Sequence, residues 1–286
     1  MEWFPSIEQA GSAAAYVLLY IAVFFLAKWI KSIFVPYRLD EQLTEHDNVA
    51  VAVSLAGYIA GVTAIFAGAV WPSGGGGFLS FWEEFALVAA YALGGVLLLN
   101  LARILNDRLM LHKFSVEREL IRDQNPGTGL VEAAAYLASG LIIGGAIHGE
   151  GGGPVTALVF FALGQAALLL FGWLYARLSP YNLHAEIEDD NTAAGAGFAG
   201  GLISIGLIVM HAVAGNFSGW AEDLAALGLD LLLILVYLAG VRLIIDRFFL
   251  RRSNLQTEIA RDRNLGVGLL EMVASVGFAL VLILVI

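Results

Sequence analysis

All 15 lysines and arginines of this 286-residue chain can be placed on one side of eight apolar spans. The spans run approximately 12–35, 49–70, 83–106, 127–147, 155–178, 192–213, 224–249 and 266–286. Each is close to the ~20 apolar residues that cross the hydrocarbon of a bilayer. Lys28, Lys31 and Arg38 flank the first connection between spans. Arg103, Arg108, Lys113, Arg118 and Arg122 flank the third, Arg177 the fifth, and Arg242, Arg247, Arg251, Arg252, Arg261 and Arg263 the seventh. Even-numbered connections and both ends have none. Basic residues near span ends stay in the cytoplasm. The expected architecture is an all-α integral membrane protein of eight transmembrane helices, with odd connections cytoplasmic and both termini outside.

Composition agrees with that class. The chain is 59% hydrophobic and 14% charged, which leaves short loops and no separate soluble domain. The absence of Cys excludes disulfides, thiolate metal sites and thiol catalysis. The opening MEWFPSIEQAG has two Glu and no base, unlike a secretory signal, so the first span is expected to be permanent. The net charge of −10 is uneven. Glu2, Glu8, Glu83, Glu84, Glu150, Glu222, Asp223 and Asp230 sit on the outer side without a base. Exclusion of bases from that side explains them; an outer vestibule that attracts cations is the functional alternative. Trp3, Trp71, Trp82 and Trp220 fit an outer aromatic belt.

The four cytoplasmic connections resemble one another: PYRLDEQLTEHDN, FSVERELIRDQN, PYNLHAEIEDDN and SNLQTEIARDRN. Each closes on an asparagine, namely Asn48, Asn125, Asn191 or Asn264, just before a Gly/Ala-rich span. An Asn side chain accepts a hydrogen bond from a free first-turn N–H, so these four are read as helix N-caps. Pro126 suits the first helical position behind Asn125. Hairpins one and three share Pro36-Tyr37 and Pro180-Tyr181, while hairpins two and four share Arg103…Asp107-Arg108 and Arg242…Asp246-Arg247. The chain thus reads as two tandem four-helix repeats in the same orientation, 1–148 and 149–286. Their relation is expected to be a pseudo-two-fold axis along the membrane normal, unlike inverted-repeat transporters.

The pattern resembles the bacterial inner-membrane family called domain of unknown function 350, the YjfL-like proteins. The resemblance rests on the four-span unit, the outward termini, and the acidic connector ending in Asp/Asn before a Gly-rich helix. It implies a multi-pass protein of the bacterial inner (plasma) membrane with periplasmic termini. It implies no activity.

The residues that point to chemistry are Glu132 and Glu271, each seven residues past its capping Asn and inside an apolar run. Ionisable groups there are costly and usually face a bundle interior. Arg103 and Arg242 lie at similar depth, with Asp107 and Asp246 one turn further on the same face. Each cluster reads as one Arg against two acids, leaving one carboxylate over for a proton or a cation. The alternative is a static ion-paired clamp. The pairs Gly57/Gly61, Gly140/Gly144 and Gly197/Gly201, with Ser54, Ser139 and Ser204, suit close helix packing or, alternatively, a lined pore. His148 and His211 lie at outer helix ends, and Asp230 has no repeat equivalent, so no symmetric metal site is expected. Gly74 to Gly77 and Gly149 to Gly153 read as flexible loops rather than phosphate loops.

The functional expectation is a small-ion or small-solute channel or transporter. Its path would run between the repeats and use Glu132 and Glu271. The alternative is a non-transporting scaffold whose cytoplasmic segments recruit a soluble partner for envelope stress or lipid organisation. No enzyme activity, cofactor or metal is expected. Expected partners are the lipid bilayer, a soluble cytoplasmic protein and further copies of the chain; nucleic acid is not among them.

Overall fold

The computed structural model describes residues 7–70, 80–149, 151–250 and 253–285. Trp3, Trp71, Glu2, Glu150, Gly74 to Gly77, Arg251 and Arg252 lie outside them, as does the side chain of Glu8. The long helices are α1 (Ile7–Phe34), α3 (Val49–Val70), α4 (Phe81–Leu105), α6 (Pro126–Ile147), α7 (Gly153–Leu178), α9 (Thr192–Val213), α10 (Trp220–Ile244) and α11 (Leu265–Val285). All eight are long and apolar enough to cross a membrane. The connectors fold too, as short helices α2 (Leu39–Thr44), α5 (Val116–Ile121) and α8 (Leu183–Glu188), and as a π-helical segment Gln256–Arg261. Helices α4 and α10 each run on through a π-helical turn, Asn106–Met110 and Ile245–Phe249, at the same place in the two repeats.

The four glycine-rich helices form a row, α3–α6–α9–α11. The row is close because its seams are backbone against backbone. A Cβ at Gly140 would overlap the Gly61 backbone, and one at Gly195 would lie 2.6 Å from the Gly127 Cα. Such approach maximises dispersion contact where lipid offers no hydrophobic driving force between helices. Gly197 and Gly201 make no such seam: they make room for the Glu271 carboxylate and the Tyr175 ring. The other four helices lie in the grooves, α4 between α3 and α6, α7 between α6 and α9, and α10 on α9 and α11, with α1 on α4 and α3. Helix α9 lies deepest, with 89% of its span buried, against 11% for α1. The outer face of α1 shows Leu18, Phe25 and Trp29, an apolar surface suited to lipid rather than water.

One expectation about symmetry fails. A two-fold axis relating the repeats would turn the α6–α9 contact into an α11–α3 contact. Instead α3 and α11 are the two ends of an open row. The α6–α9 seam between repeats is built like the seams within them, so the hairpins follow one another by a repeated step. The sequence pairs hairpins one with three and two with four, but packing treats all four alike.

Candidate functional site

The buried charges of the spans, Lys31, Glu132 and Glu271, gather near the end of the row that carries the bases. In the first repeat, Arg103 Nε on α4 lies 3.3 Å from Asp107 Oδ2 and 3.3 Å from Glu132 Oε1 on α6. Its Nη1 donates to the Phe34 carbonyl at 3.1 Å. Ser54 on α3 donates to Glu132 Oε2. Lys31 on α1, 1% exposed, joins the same cluster. Its Nζ donates to Tyr136 Oη at 2.9 Å and Ser54 Oγ at 3.4 Å, and it stands 4.1 Å from the Tyr136 ring centroid. Two bases thus face two acids. Lys31, from a helix about 100 residues upstream of Glu132, adds a second base to the count but makes no ion pair with either acid among the described residues, and Glu132 Oε1 has no hydrogen-bond partner among them. The space among Arg103, Asn106, Asp107, Glu132 and Tyr136 has no room for a water molecule.

The second repeat keeps the theme and changes the parts. Arg242 Nε lies 3.4 Å from Glu271 Oε1. Tyr175 occupies the place of Lys31, five residues before the shared proline. Its hydroxyl donates to Glu271 Oε1 at 2.8 Å, and its ring lies 4.1 Å from the Arg242 guanidinium carbon. Arg242 Nη2 also donates to Ser179 Oγ at 2.8 Å. Asp246 departs from expectation: it forms no ion pair with Arg242 among the described residues. Its Oδ1 accepts the Leu255 N–H at 2.9 Å, at the entry to the π-helical connector. With Tyr in place of Lys, one base and one acid balance, and Asp246 is released to hold backbone. Gly197 occupies the place of Ser54, so Glu271 Oε2 has no hydrogen-bond partner among the described residues. Arg242, Asp246, Arg247 and Gln256 border an open cleft of about 690 Å³, which Glu271 itself does not line.

A neutral network that sequence reasoning missed joins the π-helical turn after α4 to α6 and α7. Asn106 Nδ2 donates to Ser139 Oγ at 3.2 Å, Ser139 Oγ to Gln165 Oε1 at 3.0 Å, and Gln165 Nε2 to Asn106 Oδ1 at 2.7 Å. Gln165, a lone amide in the middle of an apolar span, was the available signal.

The closing asparagines do more than cap. Each Oδ1 accepts an N–H three residues on, at Val51, Thr128, Ala194 and Val267. Each Nδ2 donates back to its own connector, at Gln42, Glu119, Glu186 and Glu258. Three of them also donate forward to the next connector: Asn48 to the Leu120 carbonyl at 2.8 Å, Asn125 to Ile187 at 2.6 Å, and Asn191 to Ile259 at 2.8 Å. The preceding residues Asp47, Gln124, Asp190 and Arg263 all adopt left-handed backbone, with φ of 47°, 50°, 59° and 49°. That turn aims the amides of Asn48, Asn125 and Asn191 at the next connector. Burial raises the Glu119 carboxyl above its ordinary range, opposed by the Asn125 amide. Hydrogen bonds from Asn264 and Ser253 hold the exposed Glu258 below it.

A family model described as Domain of Unknown Function (DUF350) matches the chain twice, over residues 5–147 and 151–286. An Aquifex aeolicus protein named UPF0719 transmembrane protein is 21% identical over 185 residues, 64% of this chain and 65% of that one. The Escherichia coli UPF0719 inner membrane protein YjfL is 32% identical over 84 residues, 29% of this chain and 63% of the relative. The match thus spans just under two thirds of each relative's length. No solved structure matches the chain.

Proposed function

The chain belongs to the family Domain of Unknown Function (DUF350) and is a multi-pass membrane protein, and from that premise we propose that it acts as a scaffold in the bacterial inner membrane. The basic end of the row faces the cytoplasm, both chain ends lie on the periplasmic side, and the connectors recruit a soluble protein. The orientation rests on the one-sided distribution of bases. The observation that carries the scaffold reading is the series of latches from Asn48, Asn125 and Asn191, which ties four connectors into one ordered surface. A path between the repeats would have to part the α6–α9 seam, where Gly195 meets Gly127 and Gly206 meets Ala138 backbone to backbone. The close-packed Arg103 cluster, with Arg103 between Asp107 and Glu132, fits a clamp better than a proton relay. The reading assigns no catalytic step, cofactor or nucleic acid.

Transport through the second repeat is the second reading. It is favoured by the unpartnered Glu271 Oε2 and the cleft beside Arg242. Proteoliposome flux of protons, potassium and sodium separates the two. The scaffold reading expects no flux, and a soluble partner lost on charge reversal of the exposed Glu45, Glu117 and Glu188 to Lys. Flux that Glu271→Gln abolishes would overturn it in favour of transport.

A further inference from the structure

The helix row has two open ends, and they are complementary in the terms of its own seams. The residue two past each closing Asn packs on the residue four past the next one: Ala50 on Gly129, Gly127 on Gly195, Ala193 on Gly268. Higher up, the residue thirteen past one Asn packs on the residue fifteen past the next, as in Gly61 on Gly140 and Ala138 on Gly206. The asparagine latch repeats the same step three times. One register therefore describes three successive interfaces.

Much of that register recurs at the two ends of the row, although α11 carries Val273 and Leu284 where α3 has Gly57 and Gly68. At the α11 end, Gly266 and Gly277 hold the second and thirteenth positions. A Cβ at Gly277 would touch nothing within 4 Å, and one at Gly266 only the side chain of its own Asn264. At the α3 end, Ala52, Ala56, Thr63 and Ala67 hold the positions that Gly129, Ala133, Gly140 and Gly144 use on α6, and all four are exposed. Tyr20 of α1 reaches Thr63 at the edge of that stripe. Small residues offer lipid little contact and instead allow helices to approach; the lipid-suited face of α1, with Leu18, Phe25 and Trp29, is built from large ones. The polar latch is open at the same end. Asn48, Asn125 and Asn191 are 1%, 0% and 0% exposed, whereas Asn264 is exposed and donates to no neighbouring connector among the described residues. The carbonyl it would need belongs to Leu43, which stands five residues before Asn48, as Leu120 and Ile259 stand before Asn125 and Asn264.

We infer that copies of this chain associate head to tail in the membrane, α11 of one copy seated on α3 of the next, with Asn264 donating to the Leu43 carbonyl of the neighbour. The contact is heterologous, so it generates a ring where the step closes and a longer row where it does not. It goes beyond the scaffold reading and does not depend on it.

Fluorescence transfer between labelled copies in proteoliposomes, at increasing lipid dilution, tests the inference. Wild type is expected to associate. Gly277→Leu and Ala56→Leu each place a large side chain on an exposed face of the single copy, so the melting temperature is expected not to fall. Self-association is expected to fall at least tenfold for either. Because the chain has no Cys, the pair Ala52→Cys with Gly266→Cys is expected to give a ladder of oxidised dimers and larger species, and neither single variant any. Wild type monomeric at every dilution overturns the inference. So does association unmoved by both Leu variants, or dimer formation by Gly266→Cys alone, which would reveal a symmetric contact.

Discussion

Glu132→Gln is the sharpest probe of the buried charges, because it removes one charge and keeps the shape. At 3.3 Å, the Arg103–Glu132 pair has a Coulomb attraction of about 5 kcal/mol at an effective dielectric near 20. Desolvation offsets part of that, and removing one partner of a buried pair costs ~3–5 kcal/mol. Asp107, also 3.3 Å from Arg103, softens the loss, so the expected cost is ~3 kcal/mol, the lower end of that range. What remains is two bases against one acid. Lys31→Met creates the opposite imbalance, with a similar expected cost. Combined, they return the cluster to one base and one acid, the balance the second repeat achieves with Tyr175, Arg242 and Glu271. The double variant should therefore lose less than the two singles summed, by ~1–3 kcal/mol of coupling. Thermal melting in detergent and denaturant titration of all four proteins read this directly, each single substitution lowering the melting temperature by on the order of 10 °C. Additive losses would refute the reasoning, since they would mean that Lys31 and Glu132 do not share one charge balance.

Three further outcomes follow from the same geometry. Asn125→Ala removes a cap and a latch from a fully buried site and should cost ~2–3 kcal/mol, whereas Asn264→Ala in a dispersed single copy should cost ~1 kcal/mol, both read by denaturant titration. Gly140→Ala drives a methyl into the Gly61 backbone and should lower stability by ~1–3 kcal/mol, while Gly94→Ala, with open space around it, should raise it by up to ~1 kcal/mol; melting curves compare them. Burial raises the Glu119 carboxyl above its ordinary 4.5, so the folded state holds that proton more tightly than the unfolded chain. Its contribution to stability therefore falls as pH rises upward from 4.5. Glu119→Gln, the amide that Gln42 already supplies opposite Asn48, should remove that part of the slope in stability measured against pH.

Local and periodic features are legible in the sequence. The eight spans follow from apolar length, and the caps from Asn ahead of a Gly/Ala-rich run; Asn125 with Pro126 starts α6 as a first-turn argument requires. The pairing of Arg103 with Glu132 is readable from depth alone, since both sit about the same distance from the basic end. Asp246 is misjudged because its helical spacing from Arg242 matches that of Asp107, and spacing does not reveal that a connector backbone, Leu255, competes for it.

Sequence by itself determined the class, the span count and the repeat, because hydropathy, charge placement and capping act within a few residues along the chain. Tertiary structure alone decided how the charges balance and how the hairpins stand. Lys31 meets Tyr136 across 105 residues, and Asn48 meets Leu120 across 72. Small residues in an apolar helix announce that some helix approaches closely, without naming which. Only the packed row assigns Gly140 to Gly61 and Gly195 to Gly127, and leaves Gly277 facing open space. The physical reason is that lipid and helix surface are equally apolar, so partner choice rests on shape and on a few buried hydrogen bonds, and both exist only once the helices are in place.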